Sequence, residues 1–452
     1  MLRRLELQGR ISGLDGVLYE NRDRGHSQLP SGLFPTLATL TYDPELQKAD
    51  LDHGLGGAIL FPMITVGNAS LAITKGEVPR SLPRLAMTTK AGPARAFRTY
   101  SNNHLYVYPE HRDHDEKDIF PANWPYMTIT QGSSGSDQPF LRALLMALAA
   151  FPPKTRTILE ERKLVAPVLQ MILRYSQKGI YGRDSYLSGK AHPTVFDAED
   201  LLPERMVSRA AALLPADIPP MVQIRVLKED FAQAAGLAGL PEELFTTPSA
   251  VARVWRSLEH TREIVLSTDP TRNPTDRDLT FHWVLLRGDP SKIAISPLDP
   301  AGRTARIRID WHDTRPIAPR DPRTSARVDI GVIAWNGAQF SAPAILSVSF
   351  PVHQIRRYSK QAGEEARLLF VDYDAINRGA DYDPTLHWSA PWSDIMHYDA
   401  GGTLAGWRRE MTSGEILEMD TQGRTQDGRS MVHSMGGSPD RPMLEMVPDP
   451  AD

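Results

Sequence analysis

The chain has 452 residues, 41% of them hydrophobic and 23% charged, a composition that places it among folded globular proteins and excludes the disordered class. With 51 basic against 55 acidic side chains the net charge is −4, so no bulk field draws it to nucleic acid or to an anionic membrane surface. It has no cysteine, which excludes disulfides, thiolate metal ligands and a cysteine nucleophile.

The opening "MLRRLELQGRISG" carries the pair Arg3-Arg4 but no apolar stretch after it, since Glu6, Gln8 and Arg10 interrupt the pattern, so the given sequence is expected to lack a signal peptide. Residues 1–135 read as short strands and long loops: apolar bursts such as "AILFPMITV" and "HLYVYP" stand between Gly, Pro and polar residues. Two clusters in this stretch could carry chemistry. In "YENRDRGHSQL", Arg22, Arg24 and His26 either hold a surface turn by ion pairs or bind a substrate carboxylate or sulfate. In "PEHRDHDEKD", His111, Asp113, His114 and Asp115 follow a strand-like run and either form a solvated loop or supply imidazole and carboxylate ligands to a divalent metal.

The stretch "TITQGSSGSDQPFLRALLMALAAF" reads as strand, tight turn and helix. Ser134 stands where a G-x-S-x-G elbow places its nucleophile, although Ser136 replaces the last Gly. Ser133 or Ser134 could then attack with His111 or His114 as base. The competing reading is that Ser136 or Asp137 caps the helix and Pro139 lies in its first turn.

Residues 136–215 show apolar spacings of three and four and predict helices. The run at 141–151 spans roughly half a bilayer and contains Arg142, so it is a core helix. Pro167 should kink or split the helix predicted over 157–179. From "PPMVQIRVLKED", residues 219–230, onward the period turns to two through 352, and the stretch 232–248 within it looks like a linker or short helix. Residues 353–452 read as hairpins, with turns at Asp399-Ala-Gly-Gly and Thr421-Gln-Gly, ending in a loose tail. Trp124, Trp388 and Trp392 lie in irregular, proline-bearing stretches, where exposed rings could stack on a sugar or a protein partner and buried ones would plug a core.

In "STDPTRNPTDRDLTFHWVLLRGD", an Asp269-Pro270 turn leads into a strand with Phe281 and Trp283, and "ARVDIGVIAWNGAQFSAPAILSVSF" turns at Asn336-Gly337 with Val328, Ile330 and Val332 alternating. Together, over about residues 255–352, these resemble a PKD or related immunoglobulin-like β-sandwich. The resemblance implies an exported bacterial protein, extracellular or periplasmic. The fold expected is therefore α+β: a mixed α/β domain over 1–215, an Ig-like sandwich over 216–352 and a β-rich appendix over 353–452. The function expected is a binding or assembly protein whose first domain contacts a protein or glycan, with no nucleic acid and no transmembrane segment. The alternative is a serine- or metal-dependent hydrolase acting on a polymer or ester.

Overall fold

Short runs rich in Tyr, Val and Thr become the strands β1 (Leu18–Asn21), β2 (Ala38–Thr41), β3 (Thr65–Asn68), β4 (His104–Pro109) and β5 (Met127–Thr130). The structure, a computed structural model, describes residues 3, 7, 13–21, 27–30, 32–41, 60–68, 91–109, 123–133, 135–316, 324–351, 353–359, 366–375, 389–438 and 441–450. The five strands form one parallel sheet in the order β2-β1-β3-β4-β5. Every residue of β1, β3, β4 and β5 is buried, as expected of a parallel sheet covered on both faces, while edge strand β2 is mostly exposed.

The helices of this part are α1 (Gly92–Tyr100), α2 (Gln138–Ala150), α3 (Pro153–Glu161), α4 (Val165–Tyr175), α5 (Arg183–Tyr186) and α6 (Pro203–Ala212). Helix α1 is the crossover from β3 to β4, in a region whose sequence predicts only strands and loops. Helix α2 is apolar on nearly every side and packs against α6, α4 and β3. The helix expected over 157–179 is split: α3 ends at Glu161, Lys163 takes a φ of 59°, and α4 begins at Val165. Pro167 thereby falls in the first turn of α4, where its missing N–H leaves no bond unmade.

From Arg225 onward the chain is strands: β6 (Arg225–Glu229), β7 (Glu243–Thr247), β8 (Ala250–Val254), β9 (Thr261–Ser267), β10 (Thr280–Arg287), β11 (Ile293–Pro297), β12 (Thr304–Asp310), β13 (Arg315–Pro316), β14 (Thr324–Ser325), β15 (Arg327–Trp335) and β16 (Ala344–Ser349). Two sheets, β10-β15-β16-β8-β7 and β11-β12-β9-β6, share an apolar core that includes Trp255, Ile264, Ile307, Val328, Ile330, Val332 and Leu346. All pairs are antiparallel except β8 with β16. The turn expected at Asn336-Gly337 is present: Gly337 has φ 87°, and Asn336 Oδ1 accepts from the N–H groups of Ala338 and Gln339.

The stretch read as a linker is partly strand β7, and Glu242 before it is fully buried. Its carboxylate accepts from Arg262 at 2.7 Å and from the N–H groups of Ala232, Arg256 and Ser257. Phe245, Ala250, Ile333 and Phe340 pack into the core of the N-terminal sheet and helices, so apolar packing continues across this junction.

Strands β17 (Ile355–Tyr358), β18 (Leu368–Asp372), β19 (Trp392–Tyr398), β20 (Leu404–Met411) and β21 (Ile416–Asp420) form an antiparallel sheet in chain order. The tail expected to be loose pairs instead as a hairpin, β22 (Met431–Ser438) with β23 (Arg441–Pro448). The structure therefore has mixed content, with a parallel sheet first and antiparallel sheets later. Among the described residues no helix is long and apolar enough to cross a membrane.

His104 begins β4 fully buried, its Nε2–H donating to the Phe61 carbonyl at 2.8 Å. Burial pushes its pKa from 6.5 down to about 4. The folded imidazole stays neutral where the unfolded one takes a proton, so its contribution is complete above about pH 6.5 and lost as pH falls toward about 4, worth about 3 kcal/mol. Urea denaturation of His104→Gln should show a flatter loss of stability across that pH window than the parent chain. Equal slopes would assign the acid sensitivity elsewhere.

Candidate functional site

Strand order decides where this sheet can bind. Strand β1 has β2 on one side and β3 on the other, so the strand order reverses between β1 and β3, and it is outside the carboxyl ends at such a reversal that open α/β sheets bind ligands. Strand β1 ends "LYEN" and strand β3 ends "TVGN"; Asn21 and Asn68 are register partners at that edge, both buried.

The turn after β5 delivers a carboxylate to the same edge. Gly132 and Gly135 take φ of 122° and 96°, and a side chain on Gly132 would come within 2.9 Å of Ser136 Cβ. Two tight backbone bonds, Ser136 N–H to Ser133 O and Gln138 N–H to Gly135 O, then turn the chain into α2, with Pro139 in its first turn.

The capping reading of this turn does not hold. Asp137 precedes α2 with helical φ and ψ, and its side chain makes no cap bond. Its fully buried carboxylate points to the sheet instead, where Oδ1 accepts from Ser27 Oγ and Oδ2 from Asn68 Nδ2 at 2.5 Å. Ser136 does not cap either: its hydroxyl pairs with Thr130 Oγ1 at 3.1 Å. Ser27 is held in turn by Tyr19, whose hydroxyl donates to its carbonyl.

A second buried carboxylate, Glu20 of β1, accepts from the Tyr106 hydroxyl of β4 at 2.7 Å. Gly67 of β3 makes this contact possible. A Cβ there would lie 2.8 Å from both the Glu20 carbonyl and the Tyr106 ring. The carboxyl edge thus gathers Glu20, Asn21, Ser27, Asn68, Thr130 and Asp137, all no more than 1% exposed.

Beside the cluster, a cleft of about 760 Å³ runs between residues 28–30 and the first turns of α2, lined by Leu29, Pro30, Gln138, Arg142, Met146 and Pro203. Its size is that of a small-molecule site. Gln138 Nε2 donates to the Gln28 carbonyl at 3.1 Å, which ties the two walls together beside Ser27 and Asp137.

The residues singled out in the sequence fare unevenly. Ser133 is exposed, and among the described residues no side chain hydrogen-bonds to its hydroxyl. Ser134, Arg22, Arg24, His26, His111, Asp113, His114, Asp115 and Trp388 lie outside the described residues. Trp124 and Trp392 are buried, 2% and 1% exposed, so neither offers a ring for stacking. Trp124 packs on Tyr126 and Phe245, and Trp392 carries the guanidinium of Arg409 at 4.3 Å. The edge cluster went unread because its members are far apart in sequence. The signal available was two short apolar runs that each end in Asn.

No family model matches the chain, and no curated protein matches it. Among solved structures it is similar to a nucleoside hydrolase-related hypothetical protein from Saccharophagus degradans that is associated with carbohydrate metabolism, at 10% identity over 63% of this chain and 71% of that one, TM-score 0.20. It is also similar to the N-terminal Ig1-2 module of the Drosophila receptor protein tyrosine phosphatase DLAR, at 7% identity over 50% of this chain and 97% of that one, TM-score 0.13. Likenesses this distant carry no argument about function.

Because Asp137 holds two segments and does not cap its helix, Asp137→Ala should cost about 2–4 kcal/mol, the loss of two charge-assisted bonds, against about 1 kcal/mol for a lost cap. Urea denaturation of this variant beside Ser136→Ala distinguishes the two sizes.

Proposed function

We propose that this chain is a binding protein whose N-terminal sheet takes a small polyhydroxylated ligand, such as the end of a glycan, at its carboxyl edge. The observation that carries this reading is the Asp137 carboxylate, buried at the crevice between β1 and β3 and fixed there by Ser27 and Asn68. Carboxylates and amides at close quarters accept from and donate to hydroxyl groups, and two buried carboxylates at one edge repel an anion. The cleft beside them supplies an apolar wall for a sugar ring. Arg22, Arg24 and His26 follow β1 in sequence, and His111, Asp113, His114 and Asp115 follow β4; all lie outside the described residues, and their part in ligand binding is a proposal from sequence alone.

In this reading residues 1–215 make the specific contact, 216–352 serve as an Ig-like scaffold, and 353–452 are an appendix. The resemblance of the scaffold to sandwich domains of exported bacterial proteins supports a location outside the cytoplasm as part of this proposal.

Calorimetry against a panel of methyl glycosides and short oligosaccharides tests the proposal. At least one should bind, and Asp137→Asn, which turns an N–H toward the Asn68 amide, should weaken it about tenfold or more. A panel without a binder would remove the reading. A serine hydrolase at the same turn would instead label with a fluorophosphonate probe and lose the label in Ser134→Ala; a binding protein takes no label.

A further inference from the structure

Other buried arginines are met by acceptors: Arg253 by Glu229 at 2.7 Å, Arg262 by Glu242 at 2.7 Å, Arg327 by Asp329 at 2.9 Å, Arg409 by Asp394 at 2.8 Å, and Arg356 by Gln354 Oε1 at 2.9 Å. Arg174, in the last turn of α4, departs from this pattern. It is 1% exposed, and among the described residues its Nε–H and Nη1–H groups meet no acceptor. A buried cation without a counter-charge is among the least favourable arrangements a fold can hold, and an unsatisfied group of this kind points to something that completes it.

The surroundings are aromatic and closed. The guanidinium carbon lies 5.2 Å from the centre of the Phe196 ring. Tyr186 of α5 stacks on Tyr175 at 3.8 Å and meets His192 edge-on at 4.9 Å. The phenols of Tyr186 and Tyr100 are the groups whose charge would favour the Arg174 cation, and burial pushes both far up from their ordinary range, so both stay neutral. His192 donates its Nε2–H to the Tyr186 carbonyl at 2.7 Å and is held neutral by burial and by Arg174 itself. Its Nδ1 and the Oε1 of Gln170, one helical turn before Arg174, are buried and also without partners among the described residues.

We propose that Arg174 is the charged centre of an internal site for one small monovalent anion, a halide or a compact oxyanion, enclosed by Tyr100, Tyr186, His192 and Phe196. The anion accepts the two orphan N–H groups and cancels the charge. Tyr100, Tyr186, His192 and Phe196 are themselves buried, and their enclosure limits it to a few atoms. The orphan acceptors of His192 and Gln170 suit water or a hydroxyl carried by an oxyanion, so hydrogen carbonate joins chloride as a probe. This site is separate from the Asp137 cluster and does not depend on the glycan reading.

An anion that binds only the folded state raises the melting temperature with the logarithm of its concentration. Replacing sodium gluconate stepwise by sodium chloride at constant ionic strength should raise it by about 1–2 °C per tenfold, for a chain of this length. Arg174→Met, checked for folding by circular dichroism, should abolish the dependence. Crystals of the parent chain grown in bromide should show an anomalous peak against the guanidinium. No rise in the parent chain, an equal rise in Arg174→Met, or a bromide crystal with only water at Arg174 would each overturn the proposal. If Arg174→Met does not fold, the bromide crystal alone decides.

Discussion

The Asp137 carboxylate ties together parts of the chain that stand 69 and 110 residues apart in sequence. It accepts from Asn68 at the end of β3 and from Ser27 beyond β1, and it sits at the start of α2, the most apolar helix of the N-terminal part. A parallel sheet has no hairpins to hold its neighbouring strand ends, since each connection crosses to the far edge and back. A charge placed between those ends does that work, because a buried carboxylate is tolerated only while every donor around it stays in place. The favourable field at the start of α2 adds to the same restraint.

The rest of the chain uses the same device with different partners. Glu242 gathers Arg262 and three backbone N–H groups where the strand-rich part begins, and Asp394 and Arg409 pair through two parallel bonds inside the last sheet. Removing either partner of such a pair strands the other without water, so these contacts fix which strands meet more than they add net stability. The apolar packing between the two β-sheets supplies the bulk of the driving force there.

Legibility in the sequence followed the range of the interactions. Alternation in "ARVDIGVIAWNG" announced β15 and its turn, because a strand with one face on a core writes its period locally. Helices α2, α4 and α6 were equally visible in their apolar spacing. Helix α1 was not: of the buried positions in "GPARAFRTY" only Ala96 and Tyr100 belong to the apolar core, and it opens on Gly-Pro, which reads as a turn. Strand β7 was hidden because four of its five residues, Glu243, Leu244, Thr246 and Thr247, are not distinctive of a core strand. The candidate site was the least legible part, since Asp137 beside a Ser-Gly turn is what a helix cap looks like, and only its distant partners redirect it.

The strands of the parallel sheet are short, four residues in β1, β3 and β5 and six in β4. At about 3.3 Å per residue, such a sheet is a slab only ~13–20 Å deep from one edge to the other. The ring of His104, at the shallow end of β4, lies 6.3 Å from that of Tyr106, which reaches Glu20 at the other. Floor and rim are thus nearly the same layer of side chains. A disturbance at the foot of the sheet has no thickness of core in which to dissipate before it reaches the crevice.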